Sequence, residues 1–445
     1  MIFFVVANAW SQEGRIKFIE YDLDNGLHVI LHQDNTVPIV NVSVLYHVGS
    51  KNEPPGRTGF AHFFEHLMFE GSENIGRGEY MKIIERAGGQ LNANTSQDRT
   101  FYFETMPSNQ LELALYMESE RMLHAKIDSA GIATQKEVVK EEKRLRIDNQ
   151  PYMSFQEKMF AAAYKGTAYE WIPIGSFEDI DAATEQDFVD FYHTFYVPNN
   201  ATLVVAGDID MEQAKGWIAK YFTEIPRGSK EIPRPDITAP DLGGEVRETV
   251  FDNIQLPAVM YGYRMPPKGT PDYYALQILT TLLAGGESSR FNKKLVDEEE
   301  LAAVMFAFPY ALEDGGLFIA IGLANVGVNP EDLEKGMQAE IAKVQQELIS
   351  EQEYQKLQNQ MENDFVSSNS TMAGIAESLA DYHVYFGDAN LINSELERYR
   401  KVTREDIQRV AQKYLVEDNR VTLYYLPQSA REKPQDAEVQ KEGNQ

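Results

Sequence analysis

Thr184-Glu185-Gln186-Asp187-Phe188 and Thr403-Arg404-Glu405-Asp406-Ile407 open two segments of the same design. Each begins a short helix. The first runs on into FYVPNNATLVV, residues 195–205, and the second into YLVEDNRVTLYY, residues 414–425. Both close on a strand rich in β-branched residues. The back half of the chain therefore reads as a diverged copy of the front half. The fold class expected is α+β, with two duplicated α/β sandwich halves, each an antiparallel sheet backed by helices.

Working outward, residues 26–31 (GLHVIL) and 38–48 (PIVNVSVLYHV) read as strands. The turn Glu53-Pro54-Pro55-Gly56 follows them, then an apolar helix from about Thr58 to Phe69. Residues 100–106 read as a strand, Ser108 as the N-cap of the next helix, and 129–149 as a long charged helix. The stretch 224–240 is rich in proline and charge and connects the halves. The expected division is a metal-bearing half at 20–228, a linker at 229–244, a second half without metal at 245–430, and a disordered tail at 431–445. Residues 1–19 read as a signal remnant and N-terminal extension. IFFVVA at 2–7 is apolar but too short to span a bilayer, and Ala7-Asn8-Ala9 has the form of a signal-peptidase site. A periplasmic or otherwise exported protein is expected, with a cytoplasmic one as the alternative.

The chain has 445 residues, 43% of them apolar, which is enough for more than one core. Its formal charge of −28 argues against nucleic acid as a partner. There is no cysteine, so a metal must be held by histidine and carboxylate.

That requirement gives weight to Gly59-Phe60-Ala61-His62-Phe63-Phe64-Glu65-His66-Leu67-Met68-Phe69. On a helical wheel with His62 at zero, His66 lies at about 40° and Glu65 at about 300°, and the remaining positions are apolar. A buried stripe of two imidazoles and a carboxylate is costly unless something satisfies it. Residues four apart have Cβ atoms about 5–6 Å from each other, so both histidines reach one ion, with Glu65 beside its open side. This is the inverted zinc motif H-x-x-E-H. The bland reading is two unrelated core histidines.

A catalytic zinc takes three protein ligands and leaves one position open. The helix around Thr134–Leu145 offers two adjacent carboxylates. Glu142 falls in an arc with Val138, Val139 and Leu145, whereas Glu141 falls with Glu137 and Arg144 on the solvated side. Glu142 is therefore the expected third ligand, its competing role being a buried salt bridge to an arginine. Glu65 would act as general base on a zinc-activated water.

The motif, with Glu142 downstream, Leu67-Met68-Phe69-Glu70-Gly71-Ser72 after it and Gly88-Gly89-Gln90-Leu91-Asn92-Ala93 further on, resembles the pitrilysin or insulinase family, which includes the mitochondrial processing peptidase. It is most similar to the bacterial branch with half-length chains. The resemblance runs from about residue 20 to 427, more specific in the first half than in the second. It implies a zinc-dependent endopeptidase that cleaves unfolded peptides, one zinc per chain, and a chamber enclosed by two chains or fused halves. It also implies that Asn92 and Ala93 hold substrate in extended form by strand addition. The glutamate the family commonly carries seven residues before the ligand glutamate is here Gln135, in a supporting role. Where family members often carry a substrate-gripping arginine and tyrosine in the second half, this chain has Val296 and Ala303. A homologous partner subunit is expected to supply that pair in a heterodimer, with a homodimer as the alternative. Arg290 is expected in a capping or salt-bridge role. The competing function is a non-catalytic structural or peptide-binding subunit of the same fold.

Overall fold

A computed structural model describes residues 15–431; the apolar start at 2–9 and the tail beyond 431 lie outside the described residues. The first sheet comprises β1 (Ile19–Asp22), β2 (His28–Gln33), β3 (Ile39–Tyr46), β4 (Gln90–Thr95), β5 (Thr100–Pro107) and β6 (Ala201–Gly207), in spatial order β1-β2-β6-β3-β5-β4. The second comprises β7 (Val246–Asp252), β8 (Ala258–Arg264), β9 (Ala302–Leu312), β10 (Gly315–Ala324) and β11 (Arg420–Pro427), in order β7-β11-β8-β10-β9. From β2 to β6 and from β7 to β11 the pairing repeats strand for strand, so the duplication is a duplication of topology.

The sheets are not wholly antiparallel. β6 lies parallel to β2, and β11 parallel to β7. The helical stretch between β5 and β6 crosses the sheet and inserts β6 between β2 and β3; antiparallel to β3, it is parallel to β2.

The helices that matter for the site are α1 (Phe60–Leu67), α2 (Leu111–His124), α3 (Ser129–Lys143), α4 (Phe155–Ala163) and α5 (Glu185–Phe195). In the second half α6 (Pro271–Ala284), α7 (Pro330–Gln346), α8 (Met372–Phe386) and α9 (Arg404–Tyr414) take their places. The matched starts of α5 and α9 are explained by reciprocal caps: Thr184 with Asp187 and Thr403 with Asp406 bond side chain to backbone in both directions. Ser108 does not cap α2. It sits in a 3-10 turn, Ser108–Gln110, and its hydroxyl donates to Asp208 Oδ2 at 2.8 Å.

Each half lends a helix to the other. α4 lies under β8 and β11, where Met159 and Phe160 join Met260 and Leu423 in one core. Gly262 allows this approach, since a Cβ there would meet Met159 Sδ at 2.4 Å. α8 crosses the first sheet, placing Ile375, Ala376 and Leu379 against Leu45, Phe101 and Val204. Residues 224–240 form neither helix nor strand. Arg234 straps them down, donating to His47 O and Asn200 Oδ1, both at 2.6 Å.

An ion cluster closes the joint between halves. The Lys51 ammonium, its side chain 3% exposed, lies 3.1 Å from Asp98, 2.5 Å from Glu313 and 3.0 Å from Asp314. Burial pushes Glu313 up, but the His47 hydrogen bond and the Lys51 charge overcome it and hold Glu313 at about 2. The ordinary value is near 4.5. Its contribution to stability is thus present above pH 4.5 and is lost as pH falls toward about 2. Lys51→Met leaves three acids without their cation, and urea unfolding at neutral pH should show a loss of about 3–5 kcal/mol.

Candidate metal centre

α1 starts without a capping side chain of its own: Gly59 precedes it at φ 94°. The orphan N–H groups of Gly59 and Ala61 donate instead to the buried carboxylate of Glu53, at 2.9 and 2.8 Å, and the Trp171 indole N–H donates to it at 3.0 Å. Burial pushes the Glu53 carboxyl up, against these donors. Glu53 carries no motif signal; only the contact made across the turn reveals it. Behind α1, Phe60, Phe63 and Phe64 pack on Phe188 and Phe191 of α5, which fixes the polar stripe outward.

The stripe meets α3. His62 Nε2 lies 3.5 Å and His66 Nε2 3.1 Å from the same atom, Glu142 Oε2. The two imidazole planes are 75° apart. Four ligands at about 2.0–2.2 Å around a tetrahedral zinc stand about 3.4 Å from one another, so the observed separations fit an ion among them. His62 Nδ1 is buried without a hydrogen-bond partner. Burial, with His66 beside it, pushes His62 down to about 4, leaving it a neutral donor at neutral pH. The hydrogen bond from His66 holds the Glu142 carboxyl below its usual range in spite of burial. Arg146 occupies the other oxygen, with Nη1 2.6 Å from Glu142 Oε1. Both the histidines and an arginine thus meet Glu142.

The arc with which the wheel groups Glu142 is not the core face of α3. Val139 is buried, but Val138 is 43% and Leu145 56% exposed. The core face of α3 is Ile132, Gln135 and Val139. The α-helix ends at Lys143 and passes into a π-helical turn, Arg144–Asp148, whose extra residue takes Leu145 out of the register the wheel assumed. Glu141 does face solvent, paired with Arg144.

Glu65 stands beside the cluster. Burial pushes its carboxyl up, opposed by the Thr95 hydroxyl, which donates to Oε2 at 2.6 Å. Thr95 ends β4, so Glu65 is tied to the strand carrying Asn92 and Ala93. β4 is an edge paired only with β5; Asn92 is exposed and Ala93 buried. Thr95→Val removes the bond that orients Glu65 and should lower kcat about 10-fold with zinc content unchanged, measured by steady-state kinetics and metal analysis. Gln135 makes no hydrogen bond to His62, His66 or Glu142; its amide donates to Glu70 Oε1 at 2.6 Å, bracing the turn after α1. Arg290 is in an ion pair with Glu353 at 3.0 Å. Val296 packs into the second core, and Ala303 is exposed at the start of β9.

Two other clusters of donors lack this geometry. In Glu20, His28 and His383 the imidazole planes lie 5° apart with centroids at 3.5 Å, so their lone pairs run side by side instead of converging. In Asp98, Glu313 and Asp314 the Lys51 ammonium takes the central place.

Duplicated sandwich halves of this topology define the class, a processing-peptidase-like chain of half length. Residues 28–174 match the family model described as insulinase (peptidase family M16), and 182–361 match the peptidase M16 inactive domain. The chain belongs to the insulinase family, M16. The zinc protease PqqE of Helicobacter pylori is 33% identical over 424 residues, 95% of each chain. The crystal structure of a protease from Helicobacter pylori superposes with a TM-score of 0.88 at 31% identity, covering 93% of this chain and all of that one. The periplasmic protease PqqL from Escherichia coli shares the fold, with a TM-score of 0.76 at 20% identity; the match covers 92% of this chain and 47% of PqqL. Among the described residues no helix is long and apolar enough to cross a membrane.

Proposed function

We propose that the chain is a zinc-dependent endopeptidase acting on unfolded peptides, with His62, His66 and Glu142 as ligands of one catalytic zinc and Glu65 as general base. The observation that carries this is the convergence of both imidazoles on Glu142 Oε2, at 3.5 and 3.1 Å. Zinc bound there supplies a Lewis acid that polarises the scissile carbonyl and acidifies water. The substrate backbone is held extended along the free edge of β4, at Asn92 and Ala93. Glu65, oriented by Thr95, takes the proton of the attacking water and returns it to the leaving amine. Arg146 holds Glu142 Oε1 and so directs Oε2 toward the histidines.

The active unit is a dimer with a related chain, which supplies the arginine and tyrosine that Val296 and Ala303 replace here. The match to about half of PqqL, whose halves share one chain, fits that pairing. The same relative is described as periplasmic, which supports export together with the apolar start of the sequence. A quenched fluorescent peptide library tests both statements, with the zinc-loaded chain assayed alone and mixed with a copurifying homologue. Cleavage on mixing is expected. A competent homodimer, by mass and turnover, would refute the split site, and zinc without cleavage in any mixture would leave a peptide-binding subunit.

A further inference from the structure

The segment joining α3 to α4 carries a backbone outlier. Among the described residues two that are not glycine have positive φ, Glu300 at 50° and Tyr152 at 69°. Glu300 is exposed, in the loop before β9. A bulky aromatic residue in the left-handed region is strained, because its Cβ crowds the carbonyl oxygen. Such a conformation persists only where its surroundings over-determine it. For Tyr152 those surroundings belong to the other half. Its N–H donates to Asp252 Oδ2 and its hydroxyl to Leu256 O, both at 2.8 Å. Asp252 ends β7 and Leu256 precedes β8. The Tyr152 ring lies by Tyr425 of β11, with centroids 6.1 Å apart.

Upstream of Tyr152 is the metal cluster. The π-helical turn Arg144–Asp148 follows directly on Glu142 and Lys143, and it carries Arg146, which meets Glu142 Oε1. Such turns are rare and are frequent at functional sites. Backbone bonds lead from it toward Tyr152: Asn149 N–H to Arg144 O at 2.8 Å, Gln150 N–H to Ile147 O at 3.3 Å and Met153 N–H to Gln150 O at 3.2 Å. A second tie runs beside them. Lys143, 7% exposed, reaches Glu157 in the first turn of α4 at 3.1 Å. α4 itself lies under β8 and β11. The C-terminal end of the helix that bears Glu142 is thus anchored in the second half, at a residue whose backbone would relax without that anchor.

We propose that Tyr152 is a positioning residue for the metal centre, through which the half without metal fixes Arg146 and Glu142 against the two histidines. This rests on the proposed zinc site, and the test separates the two. The zinc dissociation constant of the full chain is measured by competition with a chromophoric chelator, well below the melting temperature so that the folded state is read. Tyr152→Phe removes the hydroxyl bond to Leu256, and Asp252→Ala removes the acceptor of the Tyr152 N–H. Each should weaken zinc, and the two together about 10-fold, the low end of what residues that support a ligand contribute. Cobalt(II) loaded in place of zinc should show an altered visible absorption in the double variant, because the ligand geometry is no longer held. The control is Tyr164→Phe. Tyr164, just past the far end of α4, also ties the halves, its hydroxyl donating to Gly316 O and accepting from Gly316 N–H, both at 2.7 Å. That variant should melt earlier with its zinc affinity unchanged. Unchanged zinc affinity in the double variant, or an equal loss in the control, overturns the inference and leaves the zinc site standing. A wild-type chain that binds no zinc would overturn both.

Discussion

Glu65→Gln is expected to keep zinc and lose turnover. Glutamine is nearly isosteric and accepts the Thr95 hydroxyl bond through its carbonyl oxygen, so the local structure stays. It cannot take a proton from water. General-base catalysis by a positioned side chain contributes about 10²–10⁴-fold, and kcat should fall within that range. The melting temperature should hold or rise slightly, because Glu65 carries a carboxyl that burial disfavours when ionised. Parallel metal analysis and single-turnover cleavage check this. Loss of zinc together with turnover would make Glu65 a ligand, and unchanged turnover would remove it from the mechanism.

Glu142→Gln should do the reverse, weakening zinc first and activity as a consequence. The substitution removes the negative charge on which both imidazoles converge and replaces it with a weak amide donor. Changes to residues that only support a ligand cost about 10–100-fold in metal affinity, so loss of a ligand should cost more than that. Competition with a chromophoric chelator measures it. Arg146 would then be left without its carboxylate, but its side chain is 76% exposed and water replaces the bond at little cost. Global stability of the metal-free protein should therefore change little.

How much of this could be read from the chain alone depends on the range of the interaction. His62, Glu65 and His66 lie within one and a half turns of one helix, and helical spacing alone brings them to one face. The duplication was visible because the two threonine-led helices and their following strands carry local patterns. Glu142 lies against the two histidines and Glu141 pairs with Arg144, but Val138 and Leu145, the arc that separates the two glutamates on the wheel, are surface. A wheel cannot foresee the π-helical turn at Arg144–Asp148. The parallel pairs β2/β6 and β7/β11 were not legible because strand order is set by crossovers and not by any local pattern. Glu53 capping α1, Thr95 on Glu65 and Lys51 among three acids of both halves were invisible for a related reason. Each is a polar residue of ordinary type whose partner is brought to it only by the folded chain.

The central claim, one catalytic zinc held by His62, His66 and Glu142, is tested most directly by adding zinc stepwise to the metal-free chain with its copurifying homologue while cleavage of a quenched peptide is recorded. Cleavage should be absent at the start, rise linearly and level off at about one zinc per chain. Steady cleavage in the metal-free mixture, or full zinc loading with none, would contradict it.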